Sequence, residues 1–432
     1  MAVDAEPSER SPRTRPSDAR ATWTGRLAAF AAPLARLPTA WRRAVIAILA
    51  LRAVLALFGF AFGGLLEGND AVDVEPMYGT GFRGWAGASA EEQGTGLLGA
   101  SLERFDALWY LAIARDGYPL PLRVDQAPSA AAFFPGFPMV VAVLGRLLAS
   151  RFYLAGSLAA VAFAVAALAG VHRLIEEETG DERLAGRSLV ALAVFPAAFF
   201  LVAPFSEAMF LAASAWALVW SRRGRWGWAA ALATTASITR NVGVLLILPM
   251  VLEAWRQHRA GRRLGIRAWA AAVAGAPAGL AAVAAFALIR YGTPFAPVQA
   301  QVGWERQWTL PTVSLADSWR FGTQFAGQYP AGYHSVDLIV FIAVALAVVW
   351  LLVRTPLPYG VYAAAHVLVW LTYPFPGRPL MSAYRFALAI APLPWAFGAW
   401  TRSSWVGVVW RASSSALLGV MFLLFIHWYF VF

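Results

Sequence analysis

Two aspartates, Asp106 and Asp116, stand in the aromatic stretch RFDALWYLAIARDGY (104–118) of a chain that is 59% hydrophobic and only 14% charged. A carboxylate in such a setting can serve as a general base that takes a proton from a hydroxyl. On one helix, ten residues at 100° each leave their azimuths ~80° apart, so both cannot aim squarely at one ligand and one of them is structural. Asp106 begins the stretch, where a carboxylate also complements a helix dipole. Asp116 precedes Gly117, a helix-ending signal, and there a turn role is the default.

Further polar groups punctuate the apolar sequence: Tyr118 in the same loop, Ser206 and Glu207 at the start of an apolar run, Arg240 and Asn241 in ITRNVG (238–243), the stretch from Gln299 through Gln301 and Trp304 to Trp308, and the stretch from Arg378 to Tyr384 and Arg385. Charges at a membrane edge are costly, so both signs arriving from five segments on one side predict a cleft for a ligand with anionic character. Mutual salt bridges that only hold helices together are the competing reading.

These groups require a scaffold of membrane helices. A charged share of 14% lies far below the ~25% of a soluble protein, and apolar runs of about 20 residues recur, each long enough to cross a ~30 Å hydrocarbon core. The expectation is an all-α polytopic membrane helix bundle with about 10–12 membrane segments. The net charge of +11 is carried by arginine alone, since the sequence has no lysine. Its placement in short loops and the N-terminal region suits cytoplasmic loops facing anionic membrane lipid, and not nucleic acid.

With no cysteine, disulfides, thiolate metal sites and cysteine nucleophiles are excluded. The five histidines, including His366 inside an apolar run, are too scattered for a spaced metal pair. The acidic stretch DAVDVE (70–75) has no histidine near it and reads as a solvated loop. No P-loop or GxSxG motif occurs, and the GxGxxG spacing at 79–84 (GTGFRG) and 94–99 (GTGLLG) is a weak signal by itself. No metal or cofactor is expected.

Residues 1–40 read as a disordered cytoplasmic tail and residues 41–432 as one transmembrane domain, with 67–132 forming a large first outer loop that carries surface helices. Spans are predicted near 44–66, 152–174, 186–203, 205–221, 267–290, 335–353, 357–373, 384–400 and 413–431. If the arginine-rich loops 222–225 and 256–267 share one side, the thirty residues between them must go out and back, with ITRNVG at the turn and both Arg240 and Asn241 lining a cavity. By the same parity, 133–150 is a re-entrant or surface helix.

The segments FDALWYLAIARDGY, AAFFPGFP, APFSEAMF, ITRNVG, PFAPVQAQVGWERQW and RPLMSAYRFALAIAPL occur in this order between residues 105 and 394. In that order they resemble the PIG-V family of GPI mannosyltransferases and its bacterial relatives. The resemblance implies a GT-C glycosyltransferase: a membrane helix bundle whose first outer loop holds an acidic residue and which uses a lipid-phosphate sugar donor. Asp106 matches that acidic residue, with Phe105 before it where the family often has Trp. The loop 67–104 is an expansion relative to the family.

The resemblance thus implies an inverting transfer of mannose from polyprenyl-phosphate-mannose to a lipid, glycan or protein acceptor outside the cytoplasmic membrane, without nucleotide or obligatory metal. Asp106 is the expected base. Arg240, Arg385 and Arg378 are the expected ligands of the donor phosphate, because guanidinium matches phosphate with two parallel charged hydrogen bonds. Tyr118, Trp304 and Tyr384 could stack on sugar, although interfacial aromatics more often anchor helices. Asp116, Glu207, Asn241, Gln299 and Gln301 complete the expected cleft. A lipid-linked-sugar flippase would need basic residues along its whole path, and a non-catalytic partner subunit would lack the carboxylate at position 106.

Overall fold

The computed structural model describes residues 33–65, 102–122, 129–328 and 332–429. The expected tail through residue 32, the stretch 70–75 and most of the first outer loop lie outside the described residues, as does the side chain of Trp304. Among the described residues helix is the only regular secondary structure, apart from one isolated bridge between Phe375 and Arg378. Five helices are long and apolar enough to cross a membrane: α1 (Thr39–Phe62), α4 (Phe152–Thr179), α9 (Ile266–Tyr291), α11 (Tyr333–Arg354) and α15 (Ser404–Ile426). Apart from a single turn at Ala296–Gln299, the remaining α-helices are shorter: α2 (Asp106–Asp116), α3 (Gly136–Leu147), α5 (Glu182–Ala193), α6 (Glu207–Arg222), α7 (Trp226–Thr239), α8 (Ile247–Arg259), α10 (Pro311–Gln324), α12 (Leu357–Thr372), α13 (Ala383–Leu388) and α14 (Leu393–Trp400).

Two predicted spans are interrupted. The run expected over 186–203 is α5, an irregular turn through Pro196 and a 3-10 turn at Ala198–Leu201. The run expected over 384–400 is α13 and α14, parted at 389–392 by a break ending in Pro392. Proline lacks an N–H and clashes with the preceding turn, so neither run continues as one helix. Their irregular backbone is buried, since Phe195 to Phe205 and Ala387 to Phe397 are almost wholly enclosed, and α5 packs against α14. Non-helical backbone at this depth is tolerated when protein surrounds it.

The out-and-back hairpin is present. α7 has 14 residues and α8 has 13, each ~20 Å at 1.5 Å per residue. Arg240 leaves the helix in extended conformation (φ −150°, ψ 146°) and Asn241–Leu246 follow as a 3-10 turn. The segment 133–150 contains the 12-residue α3, ~18 Å long and too short to span.

Two glycines let these pieces close on one another. A Cβ on Gly136 would lie 2.7 Å from Thr239 Oγ1 and 2.9 Å from the Ile238 carbonyl oxygen, and a Cβ on Gly243 would lie 2.5 Å from Ser237 Cα. Both FFPGFP and ITRNVG therefore use glycine to press against the C-terminal turn of α7, where Arg240 emerges.

The bundle has two distinct ends. At one, the last turns of α4, α6 and α8 meet in an ionic layer: Glu178 lies 2.7 Å from both Arg222 and Arg256 and accepts from the Tyr359 hydroxyl at 2.6 Å, while Arg223 pairs with Glu177. Arg43 of α1 reaches Glu182 at 2.9 Å. Beside it Asp181 caps α5 by accepting from Leu184 N at 2.9 Å, which holds its carboxyl below the ordinary range. Glu207 stands fifteen residues before Arg222 on α6, so the two ends are ~22 Å apart along that helix. Because the chain has no cysteine, single Asn241→Cys and Arg225→Cys variants, both at exposed positions, are expected to react with an impermeant maleimide from opposite faces of a sealed vesicle. Labelling of both from one face would dismantle this two-ended arrangement.

Candidate active site

At the end away from the ionic layer, four charged side chains from four elements meet. Asp106 opens α2, Glu207 opens α6, Arg240 ends α7 and Arg385 lies on α13. Arg385 donates from Nε to Glu207 Oε1 at 2.5 Å and from Nη1 to Asp106 Oδ2 at 2.6 Å. Arg240 Nη1 donates to the same Glu207 oxygen at 2.5 Å and to Ser206 Oγ at 3.3 Å. Ser206 Oγ also meets the Tyr110 hydroxyl at 2.8 Å. Tyr110 stands four residues after Asp106, one helical turn on, so both face the cluster.

Aromatic rings frame these ions. Phe105 precedes α2 with φ 52°, a strained setting for a residue with a Cβ. Its ring is locked against Phe425 and Trp428 at 5.6 and 5.2 Å, which fixes where the helix starts and so where Asp106 sits. Tyr110 takes edge-on contacts from Phe133 and Phe137 of the FFPGFP segment at 5.2 and 5.5 Å. The Arg385 guanidinium lies over Phe205 at 4.8 Å and Phe200 at 5.2 Å. Such cation–π contacts hold a guanidinium in a fixed plane.

The two carboxylates are not equivalent. Glu207 has a side-chain exposure of 0% and serves two arginines through one oxygen, whereas Asp106 has an exposure of 17% and is held by Arg385. Glu207 is thus the counter-charge that fixes the arginines, and Asp106 is the carboxylate open to an incoming molecule. Glu207 Oε2 is buried without a hydrogen-bond partner among the described residues.

A third arginine joins them. Arg306 follows the 3-10 turn Ala300–Trp304, donates to the Tyr373 carbonyl at 3.1 Å and lies 5.6 Å from the Phe386 ring, which Arg240 also approaches at 5.7 Å. Loss of hydration, and then the neighbouring Arg385 and Arg240 charges, lower the Arg306 guanidinium from its ordinary value, against the opposite pull of Asp106. Arg306 and Arg240 thus flank the same Phe386 ring, and the arginines around the site outnumber its two buried or half-buried carboxylates, Glu207 and Asp106. Arg306 was missed from sequence, where Gln299, Gln301 and Trp304 drew the attention. Its signal was the lone cation in the QVGWERQW stretch. Tyr110 was also missed, although its i+4 spacing from Asp106 marks it.

Other expected site residues whose side chains are described form hydrogen bonds outside this cluster. Asp116 is exposed and paired with its neighbour Arg115 at 2.6 Å. Tyr118 donates its hydroxyl to the Phe133 carbonyl at 2.7 Å, packs on Phe286, and has its own carbonyl held by Arg290. Asn241 is exposed, with its side chain accepting from Val242 N at 2.9 Å, so it caps the turn. Gln299 is exposed, and Gln301 reaches back to the Pro297 carbonyl at 3.5 Å.

Arg378 forms a separate buried pair, donating to both oxygens of Asp337 on α11 at 2.6 and 2.9 Å. Tyr384 is enclosed beside that pair. This pair ties the loop before α13 to α11 and so supports Arg385 from outside the cluster. His366 lies in the core of α12 with Nδ1 at 3.0 Å from the Tyr362 carbonyl, in a packing role.

Arg385 uses different nitrogens for its two carboxylates, and an ammonium offers only one point of attachment. Arg385→Lys is therefore expected to destabilise the folded chain by about 1.5–3 kcal/mol, the scale of one charged hydrogen bond, measured as thermal unfolding of the purified protein. Unchanged thermal stability would reduce Arg385 to a dispensable prop. Against known proteins, no family model matches the chain and no curated protein matches it.

Proposed function

We propose that this protein is an integral-membrane inverting glycosyltransferase of the GT-C kind, which moves mannose from a polyprenyl-phosphate donor to an acceptor hydroxyl on the extracytoplasmic side of the cell membrane. One observation carries the reading: a single accessible carboxylate, Asp106, stands beside arginines whose positive charge exceeds the local negative charge. Inverting transfer needs one base for the acceptor hydroxyl and cations for the departing phosphate, and no second catalytic carboxylate. Asp106 takes the acceptor proton as its oxygen attacks the anomeric carbon. The bond to phosphate breaks on the opposite face, and Arg240, Arg385 and Arg306 neutralise the leaving group. The ordered resemblance between residues 105 and 394 supplies the sugar and the lipid carrier.

The core between the two ends supports an enzyme over a flippase. Along α6 the residues between Glu207 and Ser221 carry no charge, and the aromatic wall of Phe199, Phe200, Phe205 and Phe210 is buried. A carrier for a charged lipid headgroup would need polar residues along that route. The test is to incubate the purified chain with synthetic polyprenyl-phosphate-mannose and a membrane lipid extract, then weigh the products by mass spectrometry. A mannosylated product that depends on Asp106 is expected. Absence of any product across acceptors, with donor transported between leaflets instead, would replace this reading.

A further inference from the structure

The end of the bundle opposite the proposed catalytic cluster carries two layers of arginine with different fates. In the inner layer Arg222, Arg223 and Arg256 are matched by Glu178, Glu177 and Glu253. In the outer layer Arg225, Arg259, Arg262, Arg263 and Arg267 are all exposed, and among the described residues none has a carboxylate within ion-pair distance. Between 222 and 267 the only acidic residue is Glu253, already engaged by Arg256 and Gln257.

The two loops that carry this outer layer are clamped into one surface. Gln257 donates to the carbonyls of Ser221 at 2.8 Å and Arg222 at 3.1 Å, and Arg262 returns to Gln257 Oε1 at 3.2 Å. The Arg262 guanidinium lies so close to Gly224 that a Cβ there would stand 2.8 Å from Nη1. Gly224 has φ 70°, so the turn that permits this approach suits glycine in both space and backbone. Next to the clamp, Arg225, Trp226, Gly227, Trp228 and Ala231 border an open surface hollow.

Large apolar side chains ring the same patch. Trp228 is 65% exposed, Trp255 47% and Ile266 82%, and Arg259 lies 4.6 Å over the Trp255 ring. Exposed tryptophans at the ends of apolar helices sit at headgroup depth, with the arginines just beyond them. An acidic protein would complement the charge but would not account for these rings and Ile266 at the lipid boundary.

We propose that this surface, centred on Arg225, Arg262 and Arg263, docks the headgroups of anionic phospholipids and fixes the bundle at that leaflet. Unpaired arginines next to a lipid surface gain from its negative potential, and those already paired in the inner layer do not. This is a binding site separate from the catalytic proposal, ~22 Å away along α6, and it holds whether or not the chain transfers sugar.

The test uses the full chain in nanodiscs of equimolar phosphatidylglycerol and phosphatidylcholine, with retained lipid counted by native mass spectrometry. The wild-type chain is expected to hold phosphatidylglycerol over phosphatidylcholine by about tenfold, and the Arg225→Gln/Arg262→Gln/Arg263→Gln variant by about twofold or less. A control that removes two exposed arginines elsewhere, Arg354→Gln/Arg402→Gln, is expected to keep the wild-type preference. Should the triple variant fail to fold, Arg225→Gln and Arg263→Gln alone are each expected to reduce the preference. Equal loss in the control pair would mean general charge and overturn the site, as would no preference in the wild type, the result an acidic protein partner predicts. Inorganic phosphate is expected not to displace the lipid; displacement at matched concentration would make the ligand a free anion and overturn the lipid assignment.

Discussion

Asp106→Asn is expected to reduce the proposed sugar transfer by roughly 10² or more, because it removes the proposed base and keeps the shape. The asparagine carbonyl can still accept from Arg385 Nη1, which donates to Asp106 Oδ2 at 2.6 Å, so the bridge between α2 and α13 survives in neutral form. Donor affinity should hold or improve, since the variant takes one negative charge from a cluster already short of it. The signature is therefore a fall in kcat with KM for the donor unchanged or lower, at wild-type thermal stability. Asp116→Asn is the matched control: its carboxylate is exposed and paired with Arg115, and an exposed pair contributes ~0–1 kcal/mol, so activity should stay within a few-fold. Near-normal turnover in Asp106→Asn would remove that residue from the mechanism.

How far the sequence reached can be followed residue by residue. Charge and hydropathy located the five long helices, because apolar length is set by membrane thickness and needs no tertiary information. Parity of arginine loops found the short-armed hairpin and the non-spanning 133–150 segment. The interrupted runs at 186–203 and 384–400 were read as continuous, because averaged hydropathy passes over a proline whose effect is on backbone geometry. Of the site, Asp106, Glu207, Arg240 and Arg385 were legible as costly charges in apolar surroundings. Their division of labour was not, since nothing in residue type says that Glu207 is enclosed and Asp106 partly open. Arg306 stayed hidden because it lies in a loop, where a cation looks like ordinary surface. Arg378 was grouped with Arg240 and Arg385 as a guanidinium suited to phosphate, but it pairs with Asp337 on another helix. Of the two readings offered for the charges, the salt bridges are present in the cluster, and the ligand cleft is the part we propose.

Glu207→Gln tests the scaffold half of that arrangement and should be the most destabilising single change at the site. The carboxylate is fully enclosed and one oxygen accepts from both Arg385 and Arg240 at 2.5 Å. A glutamine carbonyl can satisfy one guanidinium, but it carries no charge, and its amide presents donors toward groups that are donors themselves. Arg385 and Arg240 would then face each other without the carboxylate oxygen they share. Removing one partner from a buried ionic group typically costs about 3–5 kcal/mol, because the remaining charge stays desolvated. The remedy follows from the same reasoning: Glu207→Gln/Arg240→Gln deletes the surplus cation, leaves Arg385 with Asp106, and should recover part of the lost stability without recovering transfer, since Arg240 is a proposed phosphate ligand. Fluorescence-monitored thermal unfolding in detergent, run alongside turnover on the folded fraction, separates the two readouts. A double variant no more stable than the single would mean that Glu207 is held by packing and not by its arginines, and the charge-balance account of the site would fall with it.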